Sequence, residues 1–195
     1  MPYIMPRELE RLKAAGRRMF DGGLTTGTLG SIGVRLSGGA VAVTAVGTRI
    51  GSLDSHDFLV LDGNRQPVRQ NGRAPVMDAK MLAAVLEVQP AAGSVIRVRS
   101  PYATALAHSG AGLLEKSEEI LEPVGGVAFV PYYRPGTAGL AGAVSEALRT
   151  NKAAILEGQG AVVWGTDIDD AVDVAEALES ASKVIFILNG RDGGD

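Results

Sequence analysis

Residues 94–107 read SVIRVRSPYATALA, and a change of pattern inside this stretch decides the fold class. From Gly93 to Arg99 the chain is rich in β-branched residues and reads as a strand. Ser100-Pro101 then supplies an N-cap residue followed by proline at the first helical position, where its missing N–H is no loss. A helix is expected from there to about His108. A strand feeding directly into a helix belongs to an α/β arrangement.

The flanks carry the same two periods. Before the stretch, Leu9, Leu12, Ala15 and Met19 follow helical spacing over 7–20, with Pro6 at the start and Gly22-Gly23 at the stop. Ile32, Val34 and Leu36 alternate with Ser31, Gly33 and Arg35, and Ser37-Gly38-Gly39 turns the chain into a second strand at 40–44. A polar turn at Asp54-Ser55-His56-Asp57 precedes a strand at 58–61, a turn at 62–64 and a helix at 77–88 that ends before Pro90. After the stretch, 127–133 is extended and Thr137 caps a helix to about Leu148. AAILE and AVVWG pair around Gly158-Gln159-Gly160, and Asp167 caps a last helix at 168–188 with Val172, Ala175, Leu178 and Ser182 on one face. Trp164 and Phe129 are expected in the core, and the tail 189–195 is expected to fray. Hairpins mixed with helical crossovers predict a largely antiparallel or mixed sheet with helices packed on it, rather than a Rossmann domain. With no internal repeat, low-complexity run or linker, the whole chain, 1–195, is expected to be one domain.

Composition narrows the function. The net charge of −3 and pI of about 5.5 argue against a nucleic-acid partner, although clustered Arg can still attract a small anion. With no cysteine there is neither a disulfide nor a thiolate nucleophile or ligand, and with only His56 and His108 an imidazole-based zinc site is all but excluded. The N-terminus, MPYIMPRELERLK, has charges where a signal peptide needs an apolar run, and no stretch reaches a membrane span. A cytoplasmic protein with no membrane partner is expected.

Three places have residues suited to chemistry. Thr25-Thr26-Gly27-Thr28-Leu29-Gly30-Ser31 offers hydroxyls and free backbone N–H groups to an anion, or is a plain glycine-rich connection. Arg97 and Arg99, two apart on a strand, share a face. They converge on a phosphate or carboxylate, lie on a solvated face, or pair with acids such as Asp78. Asp78 itself opens a helix, where an acid is favoured by the dipole alone. His56 in its polar turn and His108 at a helix end read as structural.

Taken in order, four segments resemble the class II aldolase/adducin family over about residues 7–188: GLTTGTLGSIGVR, SVIRVRSPYATALA, VPYYRPGTAGLAGAVSEAL and AAILEGQGAVVWGTDIDDAVDVAEALESASKV. The resemblance implies a three-layer α/β/α fold around a mainly antiparallel sheet. It also implies a homo-oligomer, commonly a homotetramer, with sites between subunits. Family enzymes, fuculose-phosphate-type aldolases among them, use a divalent metal to polarise a carbonyl and stabilise an enediolate, with a glutamate as acid/base. Here the positions of the two paired histidine ligands carry Arg97 and Arg99, that of the third histidine carries Gln159, and that of the glutamate carries Asp78. Arg has no lone pair to give a metal. Thr28, Gly30 and Gly47 match phosphate-holding positions, Ser31 stands where Asn is usual, and Val76 and Met77 stand where a serine pair is usual. The expectation is a degenerate, metal-free homologue with no cofactor, binding a small phosphate or carboxylate anion or acting in assembly. The alternative is a metal-independent lyase or isomerase acting on a sugar phosphate or hydroxy acid, with Arg97 and Arg99 stabilising an oxyanion and Asp78 as base. A third outcome is an internal salt bridge from Arg97 or Arg99 to Asp78 that fills the old metal position.

Overall fold

The computed structural model describes residues 4–68, 72–115 and 117–192. Helix α1 (Pro6–Asp21) leads into a sheet of seven strands: β1 (Ser31–Arg35), β2 (Val41–Thr44), β3 (Phe58–Leu61), β4 (Ser94–Val98), β5 (Val127–Val130), β6 (Ala153–Leu156) and β7 (Gly160–Gly165). Helix α2 (Ala79–Val88) joins β3 to β4; α3 (Pro101–Ser109), α4 (Ala111–Glu115) and α5 (Glu118–Leu121) join β4 to β5; α6 (Ala138–Ala147) joins β5 to β6. Helix α7 (Ile168–Asp192) closes the chain.

The strand order is β3-β2-β1-β4-β7-β6-β5, every pair antiparallel except β5 with β6. The expected mainly antiparallel three-layer α/β/α fold is what forms, because each central strand divides its side chains by period two. On β4, Ile96 and Val98 join the core under α1, α3 and α7, while Val95 joins the core under α2 and α6. On β7, Ala161 and Val163 face the first layer and Val162 and Trp164 the second. Gly33 lets α2 approach β1 closely: a Cβ there would stand 2.9 Å from the Leu82 Cβ.

Four local expectations change. The C-terminal helix runs to Asp192 rather than 188, so Asn189–Asp192 does not fray; the Asn189 side-chain amide donates to the Ile185 carbonyl and extends the helix. Residues 193–195 of that expectation lie outside the described residues. Strand β5 stops at Val130 rather than 133, since the Tyr132 N–H turns to the Glu157 carboxylate. Ser100 precedes α3 but does not cap it with its side chain: its hydroxyl donates to Glu179 at 2.6 Å. Phe129 is only partly buried against the core, whereas Trp164 is buried as expected. The stretch between α3 and β5, for which no element was read from the sequence, forms α4 and α5.

Candidate functional site

The topology gathers the N-terminal end of β1, the C-terminal ends of β2, β4, β5 and β6, and the start of β7 at one end of the sheet. The loops leaving that end carry Thr28–Gly30, Gly47, Arg99, Tyr132–Tyr133 and Gln159. Ser31 pairs directly with Arg97 in the β1–β4 register, so Arg97 projects on the α2 face of the sheet, beyond Val95.

Asp78 stands at the N-cap of α2, but its carboxylate does not cap the helix. It turns instead to the sheet. Arg97 Nη1 donates to both carboxylate oxygens, at 2.7 and 2.8 Å, and Ser31 Oγ donates to Oδ2 at 3.1 Å. Arg97 Nη2 donates to the Gln159 carbonyl at 3.2 Å, and the Gln159 amide Nε2 donates to the Tyr133 carbonyl at 2.8 Å. Ser31, Asp78, Arg97 and Gln159 are all buried. The structure therefore brings together four of the expected site residues and realises the internal salt bridge between Arg97 and Asp78. Two polar atoms of this network, Arg97 Nε and Gln159 Oε1, are buried with no hydrogen-bond partner among the described residues.

Arg99 behaves differently from Arg97, although the sequence places them on one strand. Strand β4 ends at Val98 as the chain turns into α3, leaving Arg99 exposed. It makes no hydrogen bond or ion pair among the described residues. Partial burial first, and the neighbouring Arg97 guanidinium second, pull its pKa below the ordinary arginine value, with Asp78 opposing. It remains a cation at neutral pH. Gly30 packs against this strand, a Cβ there meeting the Arg97 carbonyl at 3.2 Å, and its φ of 95° suits glycine. Thr28 and Gly47 lie exposed on their loops and make no hydrogen bond to the Asp78–Arg97 pair.

Sequence reading missed three supports of this site. Glu179 of α7 accepts from Ser100 Oγ and from the Tyr102 and Ala103 N–H groups at 2.6 to 2.9 Å, fixing the turn that follows Arg99. The Tyr133 carbonyl orients Gln159. Arg73 clamps the loop of Gly47, donating to Asp57 at 2.5 Å and to the Val46 carbonyl at 2.8 Å. Each joins residues distant in the chain, so no local pattern announces it.

Comparison with known proteins agrees with this fold. The family model described as class II aldolase and adducin N-terminal domain matches residues 10–186. A 3-oxo-tetronate 4-phosphate decarboxylase of Haemophilus influenzae is 33% identical over 190 residues, covering 93% of this chain and 88% of that protein. A 5-deoxy-D-ribulose 1-phosphate aldolase of Bacillus thuringiensis is 26% identical, covering 94% and 86%. The crystal structure of YgbL from Klebsiella pneumoniae superposes with a TM-score of 0.82 at 28% identity, covering 95% of this chain and 91% of that one. On the match of the family model and the identity to the decarboxylase, this chain belongs to the class II aldolase and adducin N-terminal domain family.

Proposed function

We propose that this chain is a metal-free member of its family, residues 1–195 acting as one domain, that binds a small phosphate or carboxylate anion at Arg99 and does not run aldolase chemistry. The observation that carries the reading is the different fate of the two arginines. Arg97 is neutralised by Asp78, whereas Arg99 stands exposed and makes no ion pair among the described residues. A planar, permanently charged guanidinium with free donors is a ready partner for an oxyanion. Thr28, Gly30 and Gly47 supply hydroxyl and backbone donors on the neighbouring loops. Ser31 supports the pair through Asp78 rather than through the anion. The names of the relatives favour a phosphorylated sugar-type ligand.

The residues do not fit a divalent metal. Both Asp78 oxygens already accept hydrogen bonds, Arg97 and Arg99 have no lone pairs, and Gln159 offers one amide oxygen. Among the described residues no group of three or more His, Cys, Asp and Glu is placed to hold a metal ion. In keeping with the family resemblance, we propose assembly as a homotetramer in the cytoplasm.

A second reading, a metal-independent lyase or isomerase with Asp78 as base, is favoured by the two unpartnered atoms. Arg97 Nε and Gln159 Oε1 leave the network incompletely satisfied, so a ligand that draws Arg97 away would uncover Asp78. Thermal unfolding and calorimetry with a panel of sugar phosphates, hydroxy acids and divalent ions separate the readings. A ligand at 100 times its Kd stabilises by about 2.7 kcal/mol. The expected result is stabilisation by an anion in the wild type, lost in Arg99→Ala, with no turnover. Turnover in the wild type that disappears in Asp78→Asn while binding persists would establish the second reading. Stabilisation by Zn²⁺ alone would overturn both.

A further inference from the structure

The first N–H groups of a helix have no acceptor within it, and α3 starts only two residues after Arg99. Pro101 has no N–H to satisfy, and the Ser100 side chain does not cap the helix. The Tyr102 and Ala103 N–H groups donate instead to the two carboxylate oxygens of Glu179, at 2.9 and 2.8 Å, and Ser100 Oγ donates to the same carboxylate at 2.6 Å. Glu179 comes from α7, 76 to 79 residues further along the chain. Its negative charge is favoured there by the dipole of α3. Ser100, bonded directly to Arg99, is fully buried.

Arg99 is held on its other side by the turn between β6 and β7. A Cβ added at Gly160 would stand 2.5 Å from the Val98 carbonyl oxygen and 3.4 Å from both Cα and Cγ of Arg99, so bare backbone packs on the arginine's stem. The charges that act on the guanidinium are those of Arg97 and Asp78, and Glu179 is not among them. Glu179 belongs to the layer of α1, α3 and α7, across the sheet from α2. Its hold on Arg99 therefore runs through the backbone of Ser100 and not through space.

We infer that Glu179 is a positioning residue for the anion site: by tying Ser100 and the first turn of α3 to α7 it keeps Arg99 in a fixed place, and it touches no ligand itself. This rests on Arg99 as the anion-binding residue. A cation whose backbone is already ordered gives up less freedom on binding, which makes the tie worth roughly fivefold in affinity.

Nitrogen-15 relaxation and calorimetric titration with glycerol 3-phosphate, on the full chain well below each variant's thermal midpoint, test the assignment. The Arg99 backbone amide is expected to have an order parameter of about 0.85 in the wild type and to fall toward about 0.6 in Glu179→Ala. Glycerol 3-phosphate should bind Glu179→Ala roughly fivefold more weakly. Glu179→Gln, which keeps one acceptor oxygen, should lie between the two in both readouts. Ser100→Ala, which removes only the hydroxyl bond, should do the same and replaces Glu179→Ala if that variant does not fold. The guanidinium is intact in all three, so the salt dependence of binding stays that of the wild type. Arg99 equally ordered, or affinity unchanged, in Glu179→Ala or its replacement would overturn the positioning role and leave the anion site standing. No binding by the wild type, or binding that survives Arg99→Ala, would overturn the anion site and the part of Glu179 in it.

Discussion

Arg97 and Asp78 show what a buried guanidinium demands of its surroundings. It is paired with a carboxylate, and that carboxylate does not cap the helix it precedes. Burying such a pair is costly, and its attraction about offsets the desolvation; removing one partner strands the other charge. Arg97→Ala is therefore expected to destabilise the protein by about 3–5 kcal/mol. The double change Arg97→Met with Asp78→Leu, which removes both charges at similar volume, should be near neutral. Denaturant unfolding of the three proteins checks this. Equal losses in the single and double variants would show that the pair contributes packing rather than compensation of charge.

At the scale of elements, the ends of strands decide what is exposed. β4 stops one residue before Arg99, and Pro101 starts α3 immediately after, so two arginines two apart in sequence have opposite burial. The same closeness of strand end and helix start recurs at β7 and α7. A Cβ added at Gly165 would lie 2.1 Å from the Ala171 backbone nitrogen, so the first turn of α7 rests on the strand's end. Gly165→Ala should cost about 1–3 kcal/mol through overpacking. Gly142→Ala, in α6 with nothing within 4 Å of the new Cβ, should instead stabilise by roughly 0.5–1 kcal/mol through helix propensity. Thermal midpoints of the two variants should move in opposite directions; a shared direction would mean that backbone entropy outweighs contact at both.

Across the whole molecule, α1 is tied to α7 by charge. Arg11 bonds Asp167 at 2.7 Å and Asp169 at 2.5 Å, and Arg18 bonds Asp173 at 2.6 Å and Glu176 at 2.5 Å. The Asp170 N–H, then Arg11, hold the Asp167 carboxylate below its ordinary pKa, with burial opposing. A carboxylate depressed in the folded state stabilises it fully above the unfolded value of about 3.9 and loses that contribution as pH falls through the lower folded value. The thermal midpoint is thus expected to be flat near neutrality and to fall below about pH 4. Arg11→Ala should shallow that fall and lower the neutral plateau slightly, these pairs being half exposed. A pH profile unchanged by Arg11→Ala would assign the acid sensitivity to other carboxylates. Among the described residues no helix is long and apolar enough to cross a membrane.

The sequence by itself determined the kinds of element and their order, α4 and α5 excepted. Period two at Ile32–Leu36 and period 3.6 at Leu9–Met19 are direct imprints of which side chains meet the core, and a core face is a local property of the chain. It also determined that residues 97 and 99 are arginines, which have no lone pair to give a metal, since that depends on identity alone. Only the tertiary structure decided that Arg97, rather than Arg99, takes Asp78, that Ser31 joins them, and that Gln159 is held by Tyr133. Those partners lie 19, 47 and 26 residues apart. Their meeting depends on the register of β1 against β4, on where β4 ends and on the angle at which α2 enters. Each is fixed by packing among several elements at once, which no window of sequence contains.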